Sequence, residues 1–419
     1  MSTRRKFVKK LTTGVMSTIL PIEVLSNTPP SSLRSEMNDP EFWQLVRESF
    51  PLSKDRTYFN NGTSGPSPHR VLNVVRTKLD EFAKSGEYGS IEKTRDRIAQ
   101  FVKVKPEEIS LTHNTTEGIN IVTWGLPLKK GDEVIISLQE HVGNALPWIN
   151  RAKLHGIKLK PFEPVDTASG NLNLIKSLIT SRTRVIAIPH ITCTTGLVFP
   201  IEEISALAKS KKIFTAIDGA HGPGMLNLDI KKLGCDFYSA SCHKWMLGPG
   251  GTGFLYVREE LLDRLQVYHV GAYSDTGWDL TSTPMLKGYN PTAHRYDYGS
   301  QNASLFAGAE ESVNFMEEIG MEKVEKRVKE LGTRLHHGLL QLGGKIEMFT
   351  PKEEQSRGGM ITFKLRNKTN TEFNAVAAQN KFRIRIVPES GLDAIRISTH
   401  IYNNEDEIDR FVKLVAENM

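Results

Sequence analysis

Lys244 stands in Ser239-Ala240-Ser241-Cys242-His243-Lys244-Trp245-Met246-Leu247-Gly248-Pro249-Gly250-Gly251, 26 positions after the Asp218 of Ala216-Ile217-Asp218-Gly219-Ala220-His221. A short apolar run ending in a carboxylate, then a second ending at an amine among Ser, His and Gly, has the layout of a site for pyridoxal phosphate (PLP). That cofactor needs an amine to form a Schiff base with its aldehyde. It also needs a carboxylate to keep the pyridine nitrogen protonated, so that the ring accepts electrons. Lysines elsewhere in the chain read as solvated surface residues.

Further residues suit the same chemistry. His113-Asn114-Thr115-Thr116-Glu117-Gly118 follows the strand-like Glu108–Leu111 and opens a helix. The hydroxyls of Thr115 and Thr116 beside first-turn amides form a cup for the cofactor phosphate, although a plain N-cap has the same pattern. Ser241 and His243 flank the lysine and add donors. His141 ends a strand, where its imidazole is placed to lie on the ring face. His221 is placed to reach the ring hydroxyl, or is a turn histidine without a role. Arg396, within Ala394-Ile395-Arg396-Ile397-Ser398-Thr399, is a charge inside an apolar strand and therefore wants a partner. A substrate α-carboxylate offers it bidentate pairing; a solvent-facing edge strand is the alternative.

The elements that must position these residues follow from periodicity. Runs of strand length at Glu133–Ser137, Lys158–Phe162, Arg184–Pro189, Ile213–Asp218, Asp236–Ser241 and Thr252–Val257 alternate with helical patterns at 117–124, 145–154, 172–179 and 201–209. Such alternation predicts an α/β fold with a mostly parallel sheet covered by helices, its ligands at the carboxyl ends of the strands. The last strand follows Gly248-Pro249-Gly250-Gly251 so closely that a reversed direction is expected. Beyond residue 300 long helices near 305–319 and 321–341 precede short strands at 359–365 and 394–398 and a closing helix from Glu405, which predicts a smaller α+β domain. The expected division is a leader and linker over 1–35, an arm over 36–57, a large domain over 58–300 and a small one over 301–419.

Composition excludes several classes. With 39% hydrophobic and 24% charged residues the chain is neither disordered nor a polytopic membrane protein. Of its net charge of +6, the first 26 residues hold +4, from Arg4, Arg5, Lys6, Lys9 and Lys10 against Glu23. The remainder is near neutral, so no nucleic-acid partner is expected. Ser2 to Lys10 resembles a twin-arginine export signal, ahead of a mildly apolar stretch too short and polar for a stable membrane anchor. Export to the periplasm is expected, with a disordered basic N-terminus on a cytoplasmic protein as the alternative. The three cysteines, Cys193, Cys235 and Cys242, have neither metal-ligand nor disulfide spacing, and no metal is expected.

Taken together, these residues resemble the class V aminotransferase family of fold-type I PLP enzymes over about Tyr58 to Phe411. Tyr58-Phe59-Asn60-Asn61-Gly62 with Gly65-Pro66 resembles the family's opening segment, which places Asn61 and Gly62 near the substrate. Glu140-His141 with Asn144 to Trp148 resembles the ring-stacking motif, Asp218-Gly219-Ala220-His221 the pyridine-nitrogen motif, and Ser241-x-His243-Lys244 the Schiff-base signature. The resemblance implies a seven-stranded sheet in the large domain and Arg396 as the carboxylate-binding residue. It also implies a homodimer in which Ser300, within Gly299-Ser300-Gln301-Asn302, reaches the phosphate of the neighbouring subunit. His190 to Pro200 resembles the isopenicillin N epimerase-like branch more than the cysteine desulfurases, which usually carry Asn at the position of Cys193. Desulfurases also need a nucleophilic Cys shortly before the carboxylate Arg, and 383–393 contains none. The expectation is chemistry at Cα of an amino acid through Lys244: epimerisation, transamination, or β-elimination by a C–S lyase without a catalytic Cys. A catalytically silent binding subunit of the same fold is the rival from another class.

Overall fold

The computed structural model describes residues 39–419; the twin-arginine-like segment lies outside the described residues. Seven strands form the large sheet: β1 (Ile109–Thr112), β2 (Glu133–Ser137), β3 (Lys158–Phe162), β4 (Thr183–Pro189), β5 (Phe214–Asp218), β6 (Phe237–Ser241) and β7 (Gly253–Val257). Their order across the sheet is β1-β7-β6-β5-β4-β2-β3. Strands β2 to β6 run parallel, whereas β7 is antiparallel to both β1 and β6. The connection from Ser241 to Gly253 is too short to hold a crossover helix, so the chain must return in the opposite direction. Continuous burial of β2, β6 and β7 explains why they are apolar throughout instead of alternating. The outer strand β3 carries Lys158, Lys160 and Pro161, which blunt that edge against further pairing.

The small sheet has four antiparallel strands, β8 (Ile346–Met348), β9 (Met360–Leu365), β10 (Arg385–Val387) and β11 (Ala394–Ser398), in the order β8-β9-β11-β10. The sequence marks β9 and β11 but not β8 and β10, which at three residues each are too short to show alternation. Because β11 lies inside the sheet, Arg396 is an interior residue and the solvent-facing alternative is set aside.

The chain does not divide cleanly at residue 300. The helix Ala303–Ile319 follows the expected boundary, yet it buries Phe306, Val313, Phe315 and Met316 in the core of the large sheet. Its apolar face finds partners in the helices His69–Ser85 and Glu92–Phe101, not in the small sheet. Conversely, Thr57–Tyr58 pairs in parallel with Phe382–Arg383, and Phe59 packs in the small core with Phe363, Phe382 and Phe411. The first helix, Asp39–Glu48, is not a free arm, since Phe42, Trp43 and Val46 join the large core.

A buried ion pair fastens the segment after the large sheet. Asp297 accepts hydrogen bonds from Arg95 Nη2 at 2.7 Å, Ser110 Oγ at 2.6 Å and the Leu111 amide at 2.9 Å. Removing the carboxylate leaves Arg95 with only the half-exposed Glu92 as an anionic partner and strands the Ser110 hydroxyl and the Leu111 amide, at a cost of about 3 kcal/mol. Asp297→Ala should therefore lower the urea midpoint by a corresponding amount; a midpoint equal to that of the parent protein would show that the pair contributes nothing.

Candidate active site

Asp218 ends β5, Ser241 ends β6 and Ser137 ends β2, so the carboxyl edge of the parallel sheet carries the groups singled out above. A cavity of about 310 Å³ opens at that edge and is lined by Lys244, Asp218, His141, His221, His243 and Arg396, together with Thr115, Thr116, Ser241 and Gly62. One residue expected near the substrate, Asn61, is not brought to it, whereas Ser300 is expected at the phosphate of a neighbouring subunit and not in this cavity. Asn61 is fully buried behind the cavity, with its Oδ1 accepting from Tyr402 OH at 3.0 Å. Ser300 lines a separate cleft between the helices His69–Ser85 and Ala303–Ile319.

Lys244 sits in the turn after β6. Burial holds its amine below its ordinary pKa, with the Asp218 carboxylate opposing that shift. Its Nζ lies 3.4 Å from His221 Nε2. On the other side of that ring, Trp245 Nε1 donates to His221 Nδ1 at 3.0 Å. Burial keeps His221 well below its ordinary pKa and hence neutral, so its single proton resides on Nε2, facing the lysine. A neutral amine is the partner that arrangement accepts. Asp218 is held from below by the Ala220 amide, which donates to Oδ1 at 2.9 Å.

His141 caps the helix Val142–His155, its Nδ1 accepting from the Gly143 amide at 3.0 Å. Burial and then the Lys244 charge lower its pKa, which leaves a neutral ring protonated on Nε2. Beneath it Glu140 is wholly buried, accepts from Asn144 Nδ2 at 2.8 Å and is pushed well above the ordinary carboxylate range by that burial. That burial favours its protonated form, and sequence reasoning gave it no separate role.

The phosphate cup has Asn114 as its N-cap, accepting from the Glu117 amide at 3.0 Å. Thr115 is tied to Ser241, amide to Oγ at 2.9 Å and hydroxyl to hydroxyl at 2.7 Å, which joins the helix start to the end of β6. His243 lies against the same cavity with Nδ1 buried and without a protein partner; burial and then the lysine charge lower it to about 4. An orphaned ring nitrogen beside first-turn amides suits a phosphoryl oxygen. With Lys244 and Asp218 placed as they are, the residues fit PLP.

Arg396 is 1% exposed. Its Nη1 donates to the Cys193 carbonyl at 2.6 Å and its Nη2 to Thr63 Oγ1 at 3.1 Å, while Nε is buried without a partner. Burial and then the neighbouring Arg385 push it down to about 9, which still leaves it charged at neutral pH. A buried cation with only neutral partners is built for an incoming carboxylate. Gly62 makes room for it: a Cβ there would lie 2.9 Å from Met360 Sδ and Ser398 Oγ and 3.1 Å from Arg396 Nη2. Thr63, Cys193 and Arg385 also line the cavity and were not singled out from sequence. For Arg385 a signal existed, a second charge in a strand-like run eleven residues before Arg396.

Two outcomes test this geometry. Because the Lys244 pKa is lowered from 10.5, its neutral form persists at lower pH than that of a surface lysine. Acetylation of Lys244 by acetic anhydride in the apoprotein should rise with pH and level off below pH 10.5; a rise continuing through 10.5 would reject the lowered pKa. Arg396→Gln should raise KM for an amino acid by roughly 30-fold or more, the loss of about 2 kcal/mol or more from a desolvated charge pair, with a smaller change in kcat. An unaltered KM would remove the arginine from substrate binding.

The chain matches known proteins along most of its length. A family model described as aminotransferase class-V covers residues 67–411. A probable cysteine desulfurase of Pyrococcus abyssi is 26% identical, over 89% of this chain and 96% of that protein. The isopenicillin N epimerase of Streptomyces clavuligerus is 28% identical, over 88% and 96%. Among solved structures, a cysteine desulfurase from Thermococcus onnurineus NA1 superposes with a TM-score of 0.81 at 26% identity, covering 91% of this chain and 98% of that one. The match extends through β2 to β6 and the turn that carries Lys244, and this chain belongs to the aminotransferase class-V family.

Proposed function

We propose that the protein is a PLP-dependent enzyme that moves a proton at Cα of an amino acid, in the epimerase-like branch of its family. The observation that carries this reading is the convergence of Lys244, Asp218 and Arg396 on one cavity that contains no activated thiol. When bound, PLP supplies an electron sink for the negative charge that develops at Cα. Arg396 orients the substrate through its carboxylate, which presents the Cα–H bond in a fixed direction. Lys244 Nζ, whose pKa burial lowers, is the base that takes the Cα proton. His141, neutral and protonated on Nε2, is a second proton carrier lining the same cavity.

Desulfurase chemistry fits this chain less well. It needs a cysteine thiolate, and all three cysteines are buried and free. Only Cys193 lines the cavity, and burial pushes its thiol up to about 11. At pH 8 roughly one molecule in a thousand carries the thiolate, the opposite of activation. A homodimer with shared sites belongs to the same reading. Tyr268, Tyr273, Trp278, Leu280 and Met285 are exposed together on the segment between the two sheets, an apolar patch that a second copy would cover. Sedimentation should give twice the chain mass, and a monomer at micromolar concentration would retire the shared-site arrangement.

Incubating the holoenzyme in D₂O with a panel of amino acids separates the reactions. Cα deuteration with inversion is expected. Keto-acid release would instead establish a transaminase, and thiol with pyruvate a C–S lyase. Sulfide release that depends on Cys193 would restore the desulfurase, and no exchange with any amino acid would favour a silent subunit.

A further inference from the structure

Arg385 and Arg396 face each other directly across the antiparallel pair β10–β11, so both side chains project to the same face, and both line the cavity. Like charges opposite one another destabilise a sheet unless anions compensate them. Arg396 meets only a carbonyl and a hydroxyl, which reserves it for the substrate α-carboxylate. Arg385 is compensated differently, through Nη2 to Glu389 Oε1, four residues on. That ion pair is incomplete: Arg385 Nη1 and Glu389 Oε2 are both buried and without a protein partner. An unpaired cationic donor and an unpaired anionic acceptor thus belong to one ion pair, whose arginine lines the cavity opposite Arg396. Each costs free energy until it is satisfied.

A simple anion satisfies the donor and repels the acceptor, and an apolar side chain satisfies neither. The complementary group carries a carboxylate beside an ammonium. We propose that Arg385 and Glu389 form a side-chain subsite for a second zwitterionic head, which makes the substrate a bis-amino acid: two α-amino acid heads joined through their side chains. The carboxylate of the distal head meets Arg385 Nη1, and its ammonium meets Glu389 Oε2. Specificity then arises as a difference between satisfied and unsatisfied buried groups, the kind of discrimination that reaches several powers of ten. This inference rests on the reading of the cavity as a PLP enzyme's amino acid site.

The test is equilibrium titration of the holoenzyme, followed by its visible absorbance and by calorimetry, with L-cystathionine (a thioether carrying two zwitterionic heads), L-glutamate and L-norleucine. L-cystathionine should bind at least tenfold more tightly than either of the others. Arg385→Gln and Glu389→Gln should each weaken L-cystathionine tenfold or more and leave L-norleucine within twofold. Glu389 lies on a short turn, so its variant keeps the test open should the strand variant fold poorly. Equal weakening of L-cystathionine and L-norleucine by Arg385→Gln would assign that arginine to the α-carboxylate and overturn the proposal. So would L-glutamate binding more tightly than L-cystathionine, which marks a purely anionic subsite. If no amino acid, L-norleucine included, perturbs the spectrum or gives heat, the PLP reading itself has failed.

Discussion

Desolvation of two cations in one cavity is the constraint from which the site's chemistry follows. Arg396 is removed from water and Lys244 is half-buried at the cavity, and an isolated charge fully buried there would cost several kcal/mol. They resolve the problem differently because their acidities differ. For the lysine, burial lowers the pKa and so favours the neutral, nucleophilic amine. The guanidinium does not yield its proton at neutral pH and remains a charge in search of a carboxylate. The histidines around them follow the lysine: His141, His221 and His243 all sit below their ordinary pKa, burial being the first cause in each case. The result is a pocket of neutral donors and acceptors with one strongly cationic corner.

That pocket is assembled where the sheet's strands end, and the sheet explains why distant residues converge. Asp218 and Lys244 are 26 positions apart yet lie at and just past the ends of adjacent parallel strands, paired so that Asp218 lies beside Ser239. The helix beginning at Thr115 is tied to β6 by the Thr115–Ser241 contact, and the helix beginning at Val142 presents its own cap, His141, to the cavity. Apart from Arg396, which is held in the middle of β11, these side chains therefore sit at or just past a strand end or at a helix start.

The large sheet was legible in the sequence because fully buried parallel strands are written as unbroken apolar runs, as in β2, which falls on its expected bounds; the exposed edge strand β3 does so too without such a run. The reversed β7 was legible from chain length alone. Legibility failed where the determining information is tertiary. The helix Ala303–Ile319 has an apolar face, but its sequence does not say which core that face joins. Asn61 lies next to Gly62, yet only the glycine reaches the cavity, since the local turn sends the asparagine side chain inward to Tyr402. Arg385 was passed over although it is a charge in a strand-like run, because its importance emerges only from the register that sets it opposite Arg396.

The segment between Thr57 and Gly65 ties two parts of the molecule together. Its start is a strand of the small unit, paired with Phe382–Arg383, and Asn60 bridges to Ser398 beside β11. Its end is clamped under the loop that bears the lysine: the Gly65 amide donates to the His243 carbonyl at 2.7 Å, and a Cβ on Gly65 would lie 2.1 Å from the Lys244 carbonyl oxygen. Fewer than ten residues separate the two anchorages. Any swing of the small unit away from the sheet must therefore tug on the peptide carrying the reactive amine, like a short leash with a hook at either end. Admission of a substrate and the aim of the nucleophile are, in this chain, one mechanical degree of freedom.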